Sequence, residues 1–308
     1  MSFLLFLEQA LNGLQLGVML FLMAAGLTLV FGIMNMINLA HGSFYMAGAF
    51  AAASVTQASG SFLLGLLAAV VAVGVLGMAT EWIALRALYR RDHLDQVLAT
   101  FGLILFFNEM VKILWGPQAI FIDTPAALSG TVEILPGVPY PAYRLAIIAV
   151  GLAVGLFLWL LIGRTRLGML IRAGASNREM VSALGVDIAR VYTVVFGLGA
   201  ALAGLAGAFA GPLLAVQVGM GENILILTFV VIIVGGVGSI RGALAGAVLV
   251  GLVDTLGRAF LPSLLRFAFD PSAADTVGAS LATVAIYVLM AGVLIARPTG
   301  LFPAEGGR

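Results

Sequence analysis

Long apolar stretches alternate with short polar or charged breaks along the chain. No Asp, Glu, Lys or Arg occurs between Glu8 and Glu81, and a helix needs about 20 apolar residues to cross a bilayer. That stretch alone is therefore long enough to cross about three times. The apolar runs predict membrane-spanning helices near 9–33, 36–57, 62–85, 95–115, 143–163, 191–211, 224–240, 243–260 and 278–296.

The composition agrees with this pattern. Of 308 residues, 62% are hydrophobic, 9% are charged and none is cysteine, whereas soluble domains carry about 25% charged residues. These values exclude a soluble enzyme, a disordered regulator and a disulfide scaffold. A net charge of +1 gives no basic face for nucleic acid. The predicted fold class is an all-α, polytopic integral membrane bundle of eight or nine spans, with 1–308 as a single transmembrane domain.

Arginine in short loops predicts the orientation, because Lys and Arg near span ends stay cytoplasmic. Placing three clusters inside puts the proline-rich segment 116–142 outside, and 164–190 and the C-terminus in the cytoplasm. Nine spans leave the N-terminus outside, whereas a re-entrant 36–57 would leave eight and move it inside. The clusters are Arg86, Arg90 and Arg91; Arg164, Arg166, Arg172, Arg178 and Arg190; and Arg297 with Arg308.

Two polar or glycine-rich breaks, 35–42 and 235–242, resemble each other. Each is followed by small residues at four-residue spacing, which suggests two pseudo-repeated halves with broken helices. Ordinary close helix packing would also use such spacing. Irregular backbone at membrane depth, however, lines protein or a wet cavity, and paired interruptions point to a transport pathway. The candidate pathway or gate residues are Asn35, Asn38, His41, Gly42, Gly236, Gly238 and Ser239.

His41 has two interpretations: a hydrogen bond to a backbone carbonyl, or a proton-carrying role. Two other charged positions predict structural ion pairs, because their spacings put both partners on one helix face. These pairs are Glu109 with Lys112 and Asp254 with Arg258.

The segment between the fifth and sixth spans predicts a short amphipathic helix of about 12–15 Å. Ser176 and Glu179 form a capping box, Met180, Val181 and Leu184 fall on one face, and Gly185 ends the helix. Such a helix is too short to cross the membrane. Its apolar face either packs on this chain or the lipid interface, or docks a partner.

The chain has no energy-coupling or catalytic motif. Lys112 is the only lysine and no G-x-x-x-x-G-K-[ST] precedes it, so a nucleotide site that energises transport would belong to another subunit. H-E-x-x-H and G-x-S-x-G are also absent. An intramembrane enzyme has no support beyond His41, and a scaffold without transport would leave the paired breaks unexplained.

Five sequence elements in order resemble the permease subunits of high-affinity branched-chain amino-acid ABC importers, which are distantly similar to ribose-type permeases. The resemblance covers nearly the whole chain, although Arg241 stands where the family usually has proline. The elements are Gly26–Ile33 with Asn38–Gly42; Ala99–Leu103; Arg172–Asn177 with Ala183–Val186; Gly235–Ile240 with Gly242 and Ala243; and Arg297–Phe302.

The resemblance implies import of leucine, isoleucine or valine across a plasma membrane (the inner membrane of bacteria). It implies a second permease subunit, identical or paralogous, two cytoplasmic ATPases that bind ATP and Mg²⁺, and an extracytoplasmic solute-binding protein. This chain itself would bind no cofactor. The A-T-x-G-L element adds Thr100 and Gly102 to the pathway. The implied ATPase-docking residues are Arg172, Ala173, Ser176, Asn177, Arg178, Glu179, Met180, Ala183, Leu184 and Gly185.

Two alternatives remain open at this point. The same architecture would serve import of urea, short amides or other amino acids, because the binding protein sets most of the selectivity. A channel or ion-driven carrier that needs no ATPase is the rival from another class.

Overall fold

The computed structural model describes residues 3–89 and 91–303. Arg90 and Arg308, members of the predicted arginine clusters, lie outside the described residues. The chain divides into two compact units. The first unit comprises the described residues within 1–21, 126–153 and 227–305, and the second those within 22–125 and 154–226. The organisation of 1–308 as a single domain stays a prediction.

Helices dominate both units, which confirms the all-α membrane-bundle class. The helices are α1 (Phe3–Met34), α2 (His41–Ser59), α3 (Phe62–Thr80), α4 (His93–Trp115), α5 (Ala142–Arg164), α6 (Arg166–Ser176), α7 (Arg178–Ala183), α8 (Ile188–Ala210), α9 (Met220–Gly235), α10 (Ile240–Leu265) and α11 (Pro271–Ala296). A π-turn (Glu81–Leu85) and a 3-10 turn (Arg86–Leu88) extend α3, and a second 3-10 turn covers Ala126–Leu128.

Within the described residues, seven helices are long and apolar enough to cross a membrane. They correspond to all the predicted spans except 36–57 and 224–240. In the first of these places, α2 begins only at His41; in the second, α9 has 16 residues and ends at Gly235. Helix α2 thus begins inside the first break, and α9 ends at the first residue of the second, so eight or nine spans stay a prediction.

Small residues bring the helices of the second unit together. Helix α8 packs against both α2 and α3. Gly48 of α2 contacts the Gly204 backbone of α8, and Gly207 contacts the Tyr45 carbonyl oxygen. Glycine at these positions lets two backbones approach without a side chain between them, which is how packing drives helix association in a bilayer.

In the first unit, α10 packs against α11 and approaches α9 closely. Gly242 lies on the Gly235 backbone and Gly246 on that of Val231, which confirms close packing through small residues. Gly238 precedes Gly242 at the same four-residue spacing but does not belong to this helix face, because α10 begins only at Ile240 and Gly238 has a left-handed φ of 83°.

The segment 116–142 contains an antiparallel hairpin that the sequence did not predict. Strands β1 (Thr131–Leu135) and β2 (Val138–Pro141) flank a turn at Gly137, whose φ is 84°. The Tyr140 hydroxyl donates to Asn12 Oδ1 of α1 at 3.1 Å, and Arg144 donates to the same oxygen. The hairpin is thus tied to the start of the first helix.

Candidate functional site

The first break is a short irregular segment between α1 and α2, in the second unit. Asn35 follows α1 with a φ of 50°, a conformation that asparagine tolerates better than most residues. Asn38 Oδ1 accepts a hydrogen bond from the Ala40 backbone N–H at 3.0 Å. The predicted interruption is therefore a turn held by its own asparagine.

His41 opens α2 and is buried. Its Nε2 lies 3.2 Å from the Met23 carbonyl oxygen of α1, so the hydrogen-bonded interpretation of this histidine is confirmed. His41 Nδ1 and Asn38 Nδ2 are also buried but have no hydrogen-bond partner within 3–89 and 91–303. The turn thus holds unsatisfied polar atoms, which natural proteins rarely leave without a bound water or a function.

The two pathway candidates on α4 lie in different surroundings. The Thr100 hydroxyl is buried and donates to the Gln96 and Val97 carbonyl oxygens of its own helix at 2.9 and 3.1 Å. A Cβ on Gly102 would meet no atom within 4 Å. Neither environment by itself indicates a pathway, and both assignments stay predictions.

The predicted ion pairs are both present. Lys112 Nζ lies 2.6 Å from Glu109 Oε1 on α4, and Arg258 Nε lies 2.8 Å from Asp254 Oδ1 on α10. Each pair joins residues one helical turn apart, which supports a structural role.

The second break, between α9 and α10 in the first unit, needs glycine at two positions. Gly236 and Gly238 have φ values of 111° and 83°, which side chains disfavour. The Ser239 hydroxyl then accepts from the Gly242 N–H at 3.1 Å and caps α10. Both breaks therefore combine a left-handed residue after one helix with a polar residue at the start of the next.

The C-terminal segment 297–302 lies on this second break. Leu301 N–H donates to the Val234 carbonyl oxygen at 2.9 Å, and Phe302 N–H donates to that of Gly235 at 2.8 Å. A Cβ on Gly236 would lie 2.7 Å from the Phe302 carbonyl oxygen. The segment thus satisfies carbonyls at the end of α9 that have no partner within the helix.

The segment 164–190 forms two helices rather than one, and its cap differs from the prediction. Ser176 is the last residue of α6, so it cannot cap α7 as the capping box required. Asn177 is the cap instead: its backbone is extended and its side chain accepts from the Met180 N–H at 2.9 Å. Gly185, with a φ of 85°, follows α7 where the sequence predicted its end.

Helix α7 exposes most of its apolar side chains. Met180 and Leu184 are 59% and 77% exposed, whereas Val181 is 7% exposed. Of the three residues predicted to share an apolar face, only Val181 is buried within this chain, so the face packs on the chain's own helices only in part. Met180 on α7 and Leu184 directly after the helix form an exposed apolar surface available to a partner.

The remaining docking candidates belong to the ends of α6 and α7. Arg172 is exposed and donates to the Ile162 carbonyl oxygen, which ties α6 to α5. Ala173 is half-buried on α6, whereas Arg178, Glu179 and Ala183 are exposed on α7. The structure therefore brings all ten predicted docking residues onto one continuous segment, and their role stays a prediction.

Glu81 is the centre of a polar network that the sequence did not predict. Its buried carboxylate accepts from the Tyr89 hydroxyl at 2.5 Å and the Thr193 hydroxyl at 2.6 Å. Arg86 lies 3.4 Å from the carboxylate and donates to Thr193 Oγ1 at 2.8 Å. Glu81 ends the long uncharged stretch of the sequence, and an arginine five residues later was the available signal.

The network also fixes the state of Tyr89. Burial, followed by the hydrogen bond and the charge of Glu81, raises the pKa of Tyr89 well above its usual range. The hydroxyl therefore stays protonated and keeps donating to the carboxylate. Glu81, the centre of the network, opens the π-turn, a helix irregularity that is frequent at functional sites.

No group of three His, Asp or Glu side chains that could hold a metal ion occurs within 3–89 and 91–303. A small cavity of about 10 Å³ lies beside the first break, between α2, α4 and α9. It is bordered by the hydrogen bond from Asn108 Nδ2 to Glu222 Oε1, at 2.7 Å. This volume is about that of one water-sized probe.

The chain is similar over nearly its full length to curated transport proteins. It is 30% identical to the high-affinity branched-chain amino acid transport system permease protein BraD of Pseudomonas aeruginosa, over 96% of this chain and 95% of that protein. It is 28% identical to the protein of that description named LivH in Salmonella typhimurium, over 95% and 96%. The probable branched-chain amino acid transport permease protein LivH of Methanocaldococcus jannaschii is 28% identical, over 82% and 81%.

No solved structure is a significant match to this chain. The family described as "Branched-chain amino acid transport system / permease component" matches residues 9–297. That match spans both units, both breaks and the segment that carries α6 and α7. The chain therefore belongs to this family of transport-system permease components.

Proposed function

We propose that this chain is the membrane-spanning permease subunit of an ATP-driven importer of branched-chain amino acids. The observation that carries the proposal is the family match over 9–297, which includes both breaks, α4 and the segment that carries α6 and α7. Leucine, isoleucine and valine are the favoured solutes, because the relatives are named for branched-chain amino acid transport. The membrane is the plasma membrane, which is the inner membrane of bacteria.

The orientation follows the distribution of arginine. The segment 164–190 and the C-terminus face the cytoplasm, and the hairpin segment 116–142 faces outside. Solute-binding protein would deliver amino acid to the outer face near 116–142 and 212–223.

The coupling step is assigned to α7. The helix is short and capped by an asparagine, and Met180 and Leu184 are exposed. These features support a helix that docks an ATPase rather than one that only packs against its own chain. The ten predicted docking residues, from Arg172 to Gly185, would contact a cytoplasmic ATPase. A second permease subunit, identical or paralogous, would pair with this chain so that two ATPases act together.

The pathway is assigned to the two breaks, with Thr100 and Gly102 on α4 as further candidates. Unpartnered Asn38 Nδ2 and His41 Nδ1 and the left-handed Gly236 and Gly238 mark backbone and side chains that regular helix packing does not require. Movement of docked α7 would change access at these turns. The ATPases can drive this change only if their affinity differs between the two conformations of the permease.

This chain is not assigned an enzymatic activity or a bound cofactor. ATP and Mg²⁺ would bind to the partner subunits, where hydrolysis supplies the energy of transport. The residues of this chain would receive the motion and open and close the path, while the binding protein would set most of the selectivity.

Reconstitution tests the proposal directly. Proteoliposomes that contain this permease, its partner permease, the ATPases and the binding protein should accumulate radiolabelled leucine only with ATP inside the compartment that holds the ATPases. Uptake of urea and not leucine would replace the solute class. Leucine movement by the permease without ATPases would overturn the importer in favour of a channel or carrier.

A further inference from the structure

An open cleft of about 320 Å³ lies in the second unit between α7, the start of α8 and the turn that follows α3. Two arginines, two tyrosines, a serine and one glutamate supply its polar lining; these are Arg86, Arg178, Tyr89, Tyr192, Ser182 and Glu179. The cleft therefore adjoins α7, the helix proposed to dock the ATPase.

The lining offers hydrogen-bond donors without partners. Arg178 is exposed and has no ion pair or side-chain hydrogen bond to any described residue. Tyr192 is 4% exposed, and its hydroxyl has no hydrogen-bond partner among the described residues. A buried hydroxyl without a partner costs free energy, so this position favours a group brought by something else.

Hydrogen bonds to Glu81 and Thr193 hold the Arg86 side chain in place. Glu81 and Thr193 engage its Nε and one Nη, while the side chain stays partly exposed at the cleft. The Tyr89 ring packs edge-on against the Tyr192 ring at 5.3 Å. The Glu81 network thus fixes the Arg86 guanidinium and the Tyr89 phenol at the wall of the cleft, through hydrogen bonds from Arg86, Tyr89 and Thr193 to the Glu81 carboxylate.

We infer that this cleft receives an acidic side chain of the cytoplasmic ATPase, bound by Arg86, Arg178 and Tyr192. A carboxylate accepts hydrogen bonds and donates none, so it matches two guanidinium groups and a free hydroxyl. Glu179 is the only acidic residue in the lining of the cleft. The negative charge of Glu81, which lies outside the lining, is balanced by Arg86. The inference rests on the proposed function, because it needs an ATPase at α7.

Cysteine labelling separates the two claims, since the chain has no cysteine of its own. Ser182→Cys reports on the cleft, Leu184→Cys on the exposed side of α7, and Ser129→Cys on the hairpin segment. Each variant is reacted with a maleimide in nanodiscs, with and without purified cognate ATPase. We expect the ATPase to protect Ser182→Cys and Leu184→Cys and to leave Ser129→Cys reactive.

The outcomes differ for the two proposals. Protection of Leu184→Cys alone would overturn the cleft inference and leave α7 docking intact. Protection of neither would overturn α7 docking itself. Protection of Ser182→Cys by phosphatidylglycerol nanodiscs without ATPase, but not by phosphatidylcholine nanodiscs, would assign the cleft to an anionic lipid and overturn an ATPase carboxylate.

Affinity measurements test the carboxylate. Arg178→Gln should weaken ATPase binding about fivefold, the upper end for an exposed charge pair, and Arg178→Lys should restore part of it. Arg166→Gln, an exposed arginine of α6 outside the cleft, is the matched control and should bind normally. Unchanged affinity in Arg178→Gln would overturn the acidic partner.

Tyr192→Phe separates binding from structure. The hydroxyl has no partner in the part of the chain that the structure describes, so its removal should leave the melting temperature of the permease unchanged or higher while ATPase affinity falls. Normal ATPase affinity in this variant would show that Tyr192 does not bind the carboxylate and that its unpaired hydroxyl has another explanation.

Discussion

The Thr193 hydroxyl of α8 donates a hydrogen bond to Glu81 Oε2 at 2.6 Å. This bond joins α8 to the buried carboxylate that follows α3. The stability of the turn that follows α3 therefore depends on a residue more than a hundred positions later in the chain. A substitution at Thr193 can measure this dependence.

Thr193→Val should destabilise the permease by about 1–3 kcal/mol, because a buried carboxylate loses one of its donors. Thermal unfolding in detergent measures the change, and Thr193→Ser, which keeps a hydroxyl, is the matched control. A Val variant as stable as the unmodified chain would show that Tyr89 and Arg86 satisfy Glu81 without Thr193.

Leu184→Asp should release the ATPases while the permease stays folded, because the side chain is exposed and supports only the docking surface. Co-purification of the ATPases measures the loss. Phe121→Asp places the same change at a position of similar exposure, 76%, on the segment predicted to face outside, and should retain the ATPases. Full retention by Leu184→Asp would remove α7 from docking.

Gly236→Ala should destabilise the first unit by about 1–2 kcal/mol, because a side chain at a left-handed φ is strained and the new methyl group would press on the Phe302 carbonyl. Gly163→Ala is the matched control: it lies in α5, and a Cβ there would meet no atom within 4 Å. Equal melting temperatures for the two variants would mean that segment 297–302 moves aside freely.

Asn38→Leu should reduce uptake while leaving complex assembly intact, because it removes the side chain that holds the first break. Transport in proteoliposomes and subunit co-purification are the two measurements. Gly292→Leu, which adds the same side chain to an open position of α11, should transport normally. Normal uptake by Asn38→Leu would reduce the first break to a packing feature.

The fold class and most helix positions could be predicted from hydrophobicity, because span length and the absence of charge depend only on local composition. The ends of helices were harder. Ser176 and Asn177 are both good caps, and only the backbone shows that the serine still belongs to α6. Val181 and Leu184 are equally apolar in sequence, and their different burial depends on which side α8 occupies.

The Glu81 network and the hairpin could not be predicted for a different reason. Both depend on contacts between residues far apart in the chain: Glu81 with Thr193, and Tyr140 with Asn12. Local spacing contains no trace of such contacts. The two breaks, by contrast, were visible because asparagine and glycine mark left-handed backbone wherever it occurs.

The backbone bonds from Leu301 and Phe302 to the end of α9 have a consequence for biosynthesis. The ribosome makes α9, α10 and α11 before it makes the residues that complete the last turn of α9. Until Leu301 and Phe302 have been synthesised, the carbonyls of Val234 and Gly235 lack these two donors, so the last turn of α9 can close only after α10 and α11 have been made.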